Sequence, residues 1–426
     1  MKFMQQTRVD ITSWSRNIKL FFLANILYQL GTGTFSLLYN LYIQNLGYDD
    51  SMNGRIVSIQ SLATALMFVP IGLLGDRVSR KKLLIIGALF SGLFFVGRSL
   101  MVSEGTLLTF AVFSGLFGAV FQVLSIPYLA QNATKHERLR MFSYFSSAML
   151  ASQVLGNIGG GIIADLLQTL GLSRLVSLQF VLVMGSIMTL STFVPLLLLK
   201  ETKIQEEVPV IHSDEIPEPP KAVAQPTAAQ DYRFIAKFVL TNLLIGFGSG
   251  LVVPYLNLYF TNRFSVSLSA MSILISLGQI MTIFSLLMGT LLASKVGNVR
   301  AVVIFQLLSL PFLLLTGFTN LLWIASISFL FRQALMNSAN PIQSTVMIDR
   351  VSSKRQGLAN SLMQTAFMMG WATMGPVQSY LVITYGSYYG YAYTFSITGA
   401  LYVTSSLLYF LMLREKRPAR IATLEA

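Results

Sequence analysis

The chain has 426 residues, 54% of them hydrophobic and only 11% charged, with 30 Lys and Arg against 17 Asp and Glu, two His and no Cys. A soluble domain carries about 25% charged residues, so this chain has too little charge to cover a soluble surface and belongs in lipid. Without Cys, disulfides, thiolate metal sites and cysteine nucleophiles are excluded.

A bilayer core about 30 Å thick is crossed by about 20 apolar residues rising about 1.5 Å each. After the polar residues 1–17, apolar segments of that length fall at 18–44, 54–74, 83–102, 107–131, 141–168 and 174–199. The first is too long for a signal peptide and lacks its small-residue cleavage pattern, so it is expected to remain as a span. Residues 200–232 then break the pattern, holding five of the 13 prolines and seven acids with no helical period. Such a segment buries too little apolar area to offset its ordering entropy, which predicts a flexible cytoplasmic linker. Six further segments follow at 233–262, 268–293, 300–318, 321–348, 357–383 and 388–413. The expected organisation is an N-terminal six-helix bundle over 1–199, the linker over 200–232, and a C-terminal six-helix bundle with a short cytoplasmic tail over 233–426. The fold class is an all-α membrane protein of twelve transmembrane helices.

The net charge of +13 would suit nucleic acid in a soluble protein, but its placement argues otherwise. Leaving out Arg55, Arg98, Arg174, Arg263 and Arg332, 25 of the 30 basic residues gather on the side that carries both termini. Among them are Lys82, Lys135, Arg138, Arg140, Lys295, Arg300, Lys354 and Arg355. Basic residues near helix ends are retained in the cytoplasm, so both termini are expected there, and no nucleic-acid partner is expected.

The two sets of six also resemble each other. Gly31, Gly33, Asn40 and Tyr42 in the first span match Gly248, Gly250, Asn257 and Tyr259 in the seventh at a constant offset of 217. The loops IGLLGDRVSRKKLL and GTLLASKVGNVRAV align at an offset of 218, and Pro127 and Pro341 stand 214 apart late in the fourth and tenth spans. An even number of spans per half gives both halves the same topology, hence parallel repeats about an axis along the membrane normal.

Residues 72–82, GLLGDRVSRKK, resemble the signature loop of the major facilitator superfamily, Gly-x-x-x-Asp-Arg-x-Gly-Arg-Lys between the second and third spans. Ser79 replaces the second glycine, while Gly72, Asp76, Arg77, Arg80 and Lys81 are kept. Residues 135–143 and 353–361 resemble the basic loops before the fifth and eleventh spans of that superfamily. GNIGGG at 156–161 is similar to a stretch of its exporters, with Asn157 in place of proline. The resemblance implies two six-helix bundles rocking about a central site, with the loop as a cytoplasmic gate. Physically, Gly72 would permit close helix approach, Asp76 would cap a helix or pair with Arg77, and Arg80 and Lys81 would hold the cytoplasmic edge.

The resemblance further implies that the first, fourth, seventh and tenth spans face the cavity. Polar residues recur there at helical spacing: Asn25, Gln29, Thr32, Ser36 and Asn40; Ser114, Gly118, Gln122 and Ser125; Asn242, Gly246, Ser249 and Asn257; Ser328, Arg332, Met336, Asn340 and Gln343. Arg332 falls near mid-span, where an Arg costs about 2.5–3.5 kcal/mol to insert and usually marks function. Arg98 is expected to be structural, snorkelling outward. The acids sit in loops or near span ends, Asp165 deepest, and both histidines, His136 and His212, fall on the cytoplasmic side. No mid-span carboxylate or imidazole is offered to a proton. The expected activity is secondary active or facilitative transport of a small solute by alternating access, an exporter of an anionic or amphipathic compound. A non-transporting receptor or lipid flippase or scramblase on the same fold is the alternative. Neither a catalytic constellation nor a phosphate loop is present, so no enzyme and no cofactor are expected, and the partners are the solute and membrane lipid around a monomer.

Overall fold

The computed structural model describes residues 14–132, 138–200, 228–352 and 355–413, side chains excepted at 76, 138–140, 143, 286–291, 348 and 349. The expected linker from 201 to 227, both histidines, Lys135 and Lys354 lie outside the described residues. The first six spans are α1 (Arg16–Asn45), α2 (Asp50–Arg77), α3 (Arg80–Leu100), α4 (Glu104–Gln131), α5 (Arg138–Thr169) and α6 (Arg174–Ser191), the last continued by the short helix Phe193–Leu197. The next four are α7 (Ala228–Val252), α8 (Leu268–Val296), α9 (Asn298–Phe318) and α10 (Leu322–Arg350). The run Gln356–Leu413 reverses at Gly386, whose φ of 75° and ψ of 175° suit only glycine, so its two arms are α11 and α12. Helix α7 begins at Ala228, so the last residues of the expected linker are helical.

Local chemistry starts the helices where the sequence breaks. Ser15, Asp49, Ser173 and Ser267 each accept the backbone N–H three residues on, capping α1, α2, α6 and α8 for about 1 kcal/mol each. Helix α7 breaks at the 3-10 turn Val253–Tyr255, where Pro254 removes a ladder donor, and resumes over Leu256–Phe264.

Each half starts and ends on one side. Asn17 Nδ2 donates to Lys200 O at 2.9 Å in the first half, and Lys237 Nζ donates to Met412 O at 3.1 Å in the second. We call this side the terminal end and the opposite side the far end.

The duplication is visible in matching bonds. Tyr42 Oη donates to Ser99 O, and Tyr259 Oη donates to Thr316 O, each 57 residues on in its own half. Where the halves meet, the duplicated residues meet too: Asn40 Nδ2 reaches Asn257 Oδ1 at 3.4 Å and Pro254 O at 2.7 Å, while Asn257 Nδ2 donates to Leu37 O at 2.6 Å.

Candidate functional site

The hydrophobic cores show how the space between the halves is closed. One core is shared: Leu38, Tyr42, Ile56 and Leu182 pack in the same cluster as Tyr255, Phe260, Met271 and Tyr391, all at the far end. The buried residues of the other two each come from one half, with Met368 of α11 packed against the first of them. Phe21, Leu84, Leu129 and Leu196 form the buried core of the first half's terminal end, and Phe238, Val302, Val346 and Tyr409 that of the second half's. The halves are therefore fused at the far end and keep separate cores at the terminal end. Shared packing thus closes the space between the halves at the far end.

Hydrogen bonds across the halves gather at the same far end. Besides the Asn40 and Asn257 pair, Ser379 Oγ donates to Asp50 O at 2.7 Å, and Asp165 Oδ2 accepts the backbone N–H of Ser269 at 2.8 Å. Deeper along α5 and α8, Asn157 Nδ2 donates to Gln279 Oε1 at 3.3 Å.

The expected cavity residues divide into three groups. Ser36, Gln122 and Asn340 are exposed in the middle of α1, α4 and α10, and Gln29 is half-buried beside them, its Oε1 accepting from Thr32 Oγ1 at 3.3 Å. These four are the expected cavity residues whose side chains are not taken up inside either half. Asn40 and Asn257 form the far-end seal already described. Asn25, Met336, Gln343 and Arg332 are buried within their own halves. Asn25 Nδ2 donates to Phe21 O and its Oδ1 accepts from Ser125, tying α1 to α4, and Met336 sits against Ser309 of α9.

Arg332 differs most from expectation. It is 3% exposed, with Nη2 donating to Tyr402 Oη on α12 at 2.9 Å and Nη1 to Gln333 Oε1 at 3.1 Å. Its charge is held inside the second half, against the expectation that it faces a cavity. Arg98 also stays inside and does not snorkel: 3% exposed, its guanidinium lies 4.1 Å from the Tyr39 ring centre, and Nη1 donates to Gln60 and Ser114. Its nearest rings, Tyr39, Phe35 and Phe95, supply the cation–π attraction that keeps it there.

At the signature loop, the side chain of Asp76 lies outside the described residues. Arg77 is exposed, Arg80 donates to Gly75 O at 3.2 Å and Pro127 O at 2.9 Å, and Lys81 donates to Leu199 O at 2.6 Å. These two cations thus bind carbonyls near the ends of α2, α4 and α6, where helix dipoles place negative charge. Gly72 is not the close-contact glycine, because a Cβ there would meet nothing within 4 Å. Gly75 is, since its Cβ would come 2.5 Å from Leu124 Cδ2 of α4.

Two features escaped the sequence reading. Buried Asp231, assigned to the linker, accepts from Arg355 Nη1 at 2.8 Å and from the Ser352 N–H at 3.1 Å, joining α7 to the turn before α11. Trp371 of α11 is half-buried, fixed by Nε1 donating to Ser249 Oγ at 2.8 Å, with the Phe367 ring 5.8 Å away. A lone indole in an apolar run gives no sequence signal, although Phe367, Trp371 and the exposed Gln364 and Asn360 share a helical spacing.

The sequence model described as Major Facilitator Superfamily matches residues 21–235 and 238–426. An uncharacterized MFS-type transporter of Methanocaldococcus jannaschii is 22% identical over 83% of this chain and 88% of its own. The multidrug resistance protein MdtG of Salmonella typhimurium is 26% identical, over 34% of this chain and 36% of its own. Among solved structures, a bacterial homolog of the human lysosomal transporter Spinster, inward-facing and occupied, superposes with a TM-score of 0.73 at 14% identity, covering 93% of this chain and 96% of that one. The nucleoside transporter NupG gives 0.73 at 14% identity, covering 94% and 100%. A chain matched by the family model almost throughout, folded as two repeated six-helix sets that share a core at one end, belongs to the Major Facilitator Superfamily and is a multi-pass membrane transporter working by alternating access.

Proposed function

We propose that the transporter exports a small amphipathic solute, that its terminal end faces the cytoplasm of a bacterial-type cell membrane, and that this structure is its cytoplasm-open state. The shared far-end core beside separate terminal-end cores carries the assignment of state. The clustering of Lys and Arg at the terminal end supports its orientation.

Of the two solute classes that the sequence suggests, the amphipathic one fits better. The proposed cavity groups Ser36, Gln122, Asn340 and Gln29 are neutral donors and acceptors, whereas Arg332 is committed to Tyr402. A few neutral polar groups among apolar and aromatic walls are the usual dress of a site for small amphipathic ligands. The partial likeness to a multidrug resistance protein agrees with this reading and with export. The signature loop, through Gly72, Asp76, Arg77, Arg80 and Lys81, is the proposed cytoplasmic gate, shut in the opposite state.

Ligand binding raises apparent stability by mass action, which gives the test. Matched fluorescent dyes that are uncharged, anionic and cationic are titrated onto the purified protein while its melting temperature is followed. The uncharged amphipathic dye is expected to raise it in the parent and in Arg332→Gln, and to lose most of that effect in Gln122→Ala. A shift confined to the anionic dye and abolished by Arg332→Gln would reverse the assignment.

A further inference from the structure

Each half holds one buried guanidinium, and the two lie at the same depth. Gln60, Ser114 and Arg332 each stand ten residues past the far-end start of their helix, α2, α4 and α10, hence about 15 Å in, the middle of a bilayer core about 30 Å thick. Arg98 belongs to the last turn of α3, but helical side chains lean toward the helix N-terminus, which for α3 is inward, and its Nη1 reaches Gln60 Oε1 at 2.9 Å and Ser114 Oγ at 3.0 Å. Counted from the helix starts, Ser114 and Arg332 hold the same place in the fourth helix of their halves. The first half thus brings to that place from α3 the charge that the second half carries on α10.

Both charges border the surface on which the halves meet. Phe35, Tyr39 and Phe95, the rings around Arg98, and Phe329, Met336 and Tyr402, beside Arg332, all belong to the core that the halves share. Asn40, next to Tyr39, bonds to Asn257 and Pro254 of the other half, so Arg98 stands one helix, α1, from that surface. On the other side, Tyr402 packs on Gly248 of α7, where a Cβ would fall 2.7 Å from its Cε1, and the continuation of α7 reaches the first half at Asn257. Neither charge is neutralised. Among the described residues no carboxylate pairs with Arg98 or Arg332, and no Asp or Glu of the described helices stands more than four residues from a helix end.

We propose that Arg98 and Arg332 are a charge filter: two fixed positive charges, one per half, that bar cationic solutes from the passage between the halves and admit uncharged and anionic ones, acting through space rather than by contact. A guanidinium is always charged in a protein, and a buried charge is little screened by salt. Unit charges one helix diameter apart, about 12 Å, at an effective dielectric of about 20, interact by an amount worth about tenfold in an equilibrium. The filter refines the amphipathic solute class proposed above by excluding its cationic members, and it rests on that reading.

An introduced thiol reads the field with no solute present, since the chain has no cysteine of its own. Ser36→Cys, beside Phe35, and Asn340→Cys, two turns past Arg332, are the two probes, both at exposed positions. In lipid nanodiscs each is reacted with the anionic sulfonatoethyl and the cationic trimethylammonioethyl methanethiosulfonate, and each rate is divided by that of the same reagent with a free thiol in solution. Access and thiolate fraction act on both reagents alike, so the anionic-to-cationic ratio reports the potential at the thiol. It is expected to lie well above one, and to fall by about tenfold when Arg98→Gln is added to Ser36→Cys or Arg332→Gln to Asn340→Cys. Arginines with a structural part alone would move the two rates together and leave the ratio in place. An unchanged ratio in both Gln variants would overturn the proposal, as would thiols that neither reagent reaches. If the Gln variants fail to fold, a ratio near one at both thiols with the arginines in place overturns it. With solutes, Arg332→Gln is expected to tighten binding of the cationic dye by about tenfold and to change that of the uncharged dye by less than about twofold. A parent that does not bind the uncharged dye removes the solute reading and leaves the rate ratio as predicted.

Discussion

Arg98 and Arg332 show how a single buried charge is accommodated without a carboxylate. Each gives hydrogen bonds to neutral oxygens and faces a tyrosine ring, which replaces part of the lost hydration. For Arg98 the planar guanidinium matters, because the same group stacks on Tyr39 and forks to Gln60 and Ser114. Arg98→Lys is therefore expected to cost about 1–3 kcal/mol, from acceptors left unpaired, as read by a lowered melting temperature. Depth along a span was legible in the sequence for both residues, since it follows from counting 1.5 Å per residue. Direction was not. Position 332 faces α12 because Tyr402 stands there, and no local pattern announces a partner 70 residues away. The same holds for Asn25, whose periodicity put it on the right helix but whose bond to Ser125 makes it a strut between α1 and α4.

At the scale of elements, the helices follow from hydropathy and caps, and their ends fall within a few residues of the expected spans. The exception is instructive: Asp231 reads as one more acid in a proline-rich acidic stretch, yet it starts α7 and receives Arg355. Which glycine serves a crossing also depends on packing. Gly72, kept from the family signature, faces open space, whereas Gly75 lies under Leu124. Gly72→Ala is thus expected to leave the melting temperature within the effect of about 0.5 kcal/mol typical of a surface change, and Gly75→Val to lower it measurably. Gly386 is different in kind, since its backbone conformation is closed to residues with a Cβ. Gly386→Ala should cost about 1–3 kcal/mol and loosen the turn between α11 and α12, seen as faster amide exchange around Tyr385 and Ser387.

At the scale of the molecule, the sequence foretold two like halves, and the matched tyrosine bonds and the Asn40 and Asn257 pair show the duplication in three dimensions. It did not foretell the state. Which end is sealed depends on how two rigid cores meet, and the same side chains serve both arrangements with different partners. Asn40→Ala removes a cross-half bond at the seal and is expected to shift the protein toward the far-open state, raising the reactivity of a cysteine at position 36 to a reagent added from the far side. The most direct measurement is of both ends at once in the otherwise unaltered protein: label-to-label distance distributions for an introduced far-end cysteine pair at 172 and 387 and a terminal-end pair at 82 and 300, recorded in nanodiscs over a series of dye concentrations. Alternating access about a chamber predicts two populations, with the long far-end distance growing in the same proportion as the long terminal-end distance declines. Distances at the two ends that lengthen together, or that stay fixed while dye binds and crosses the membrane, would contradict it.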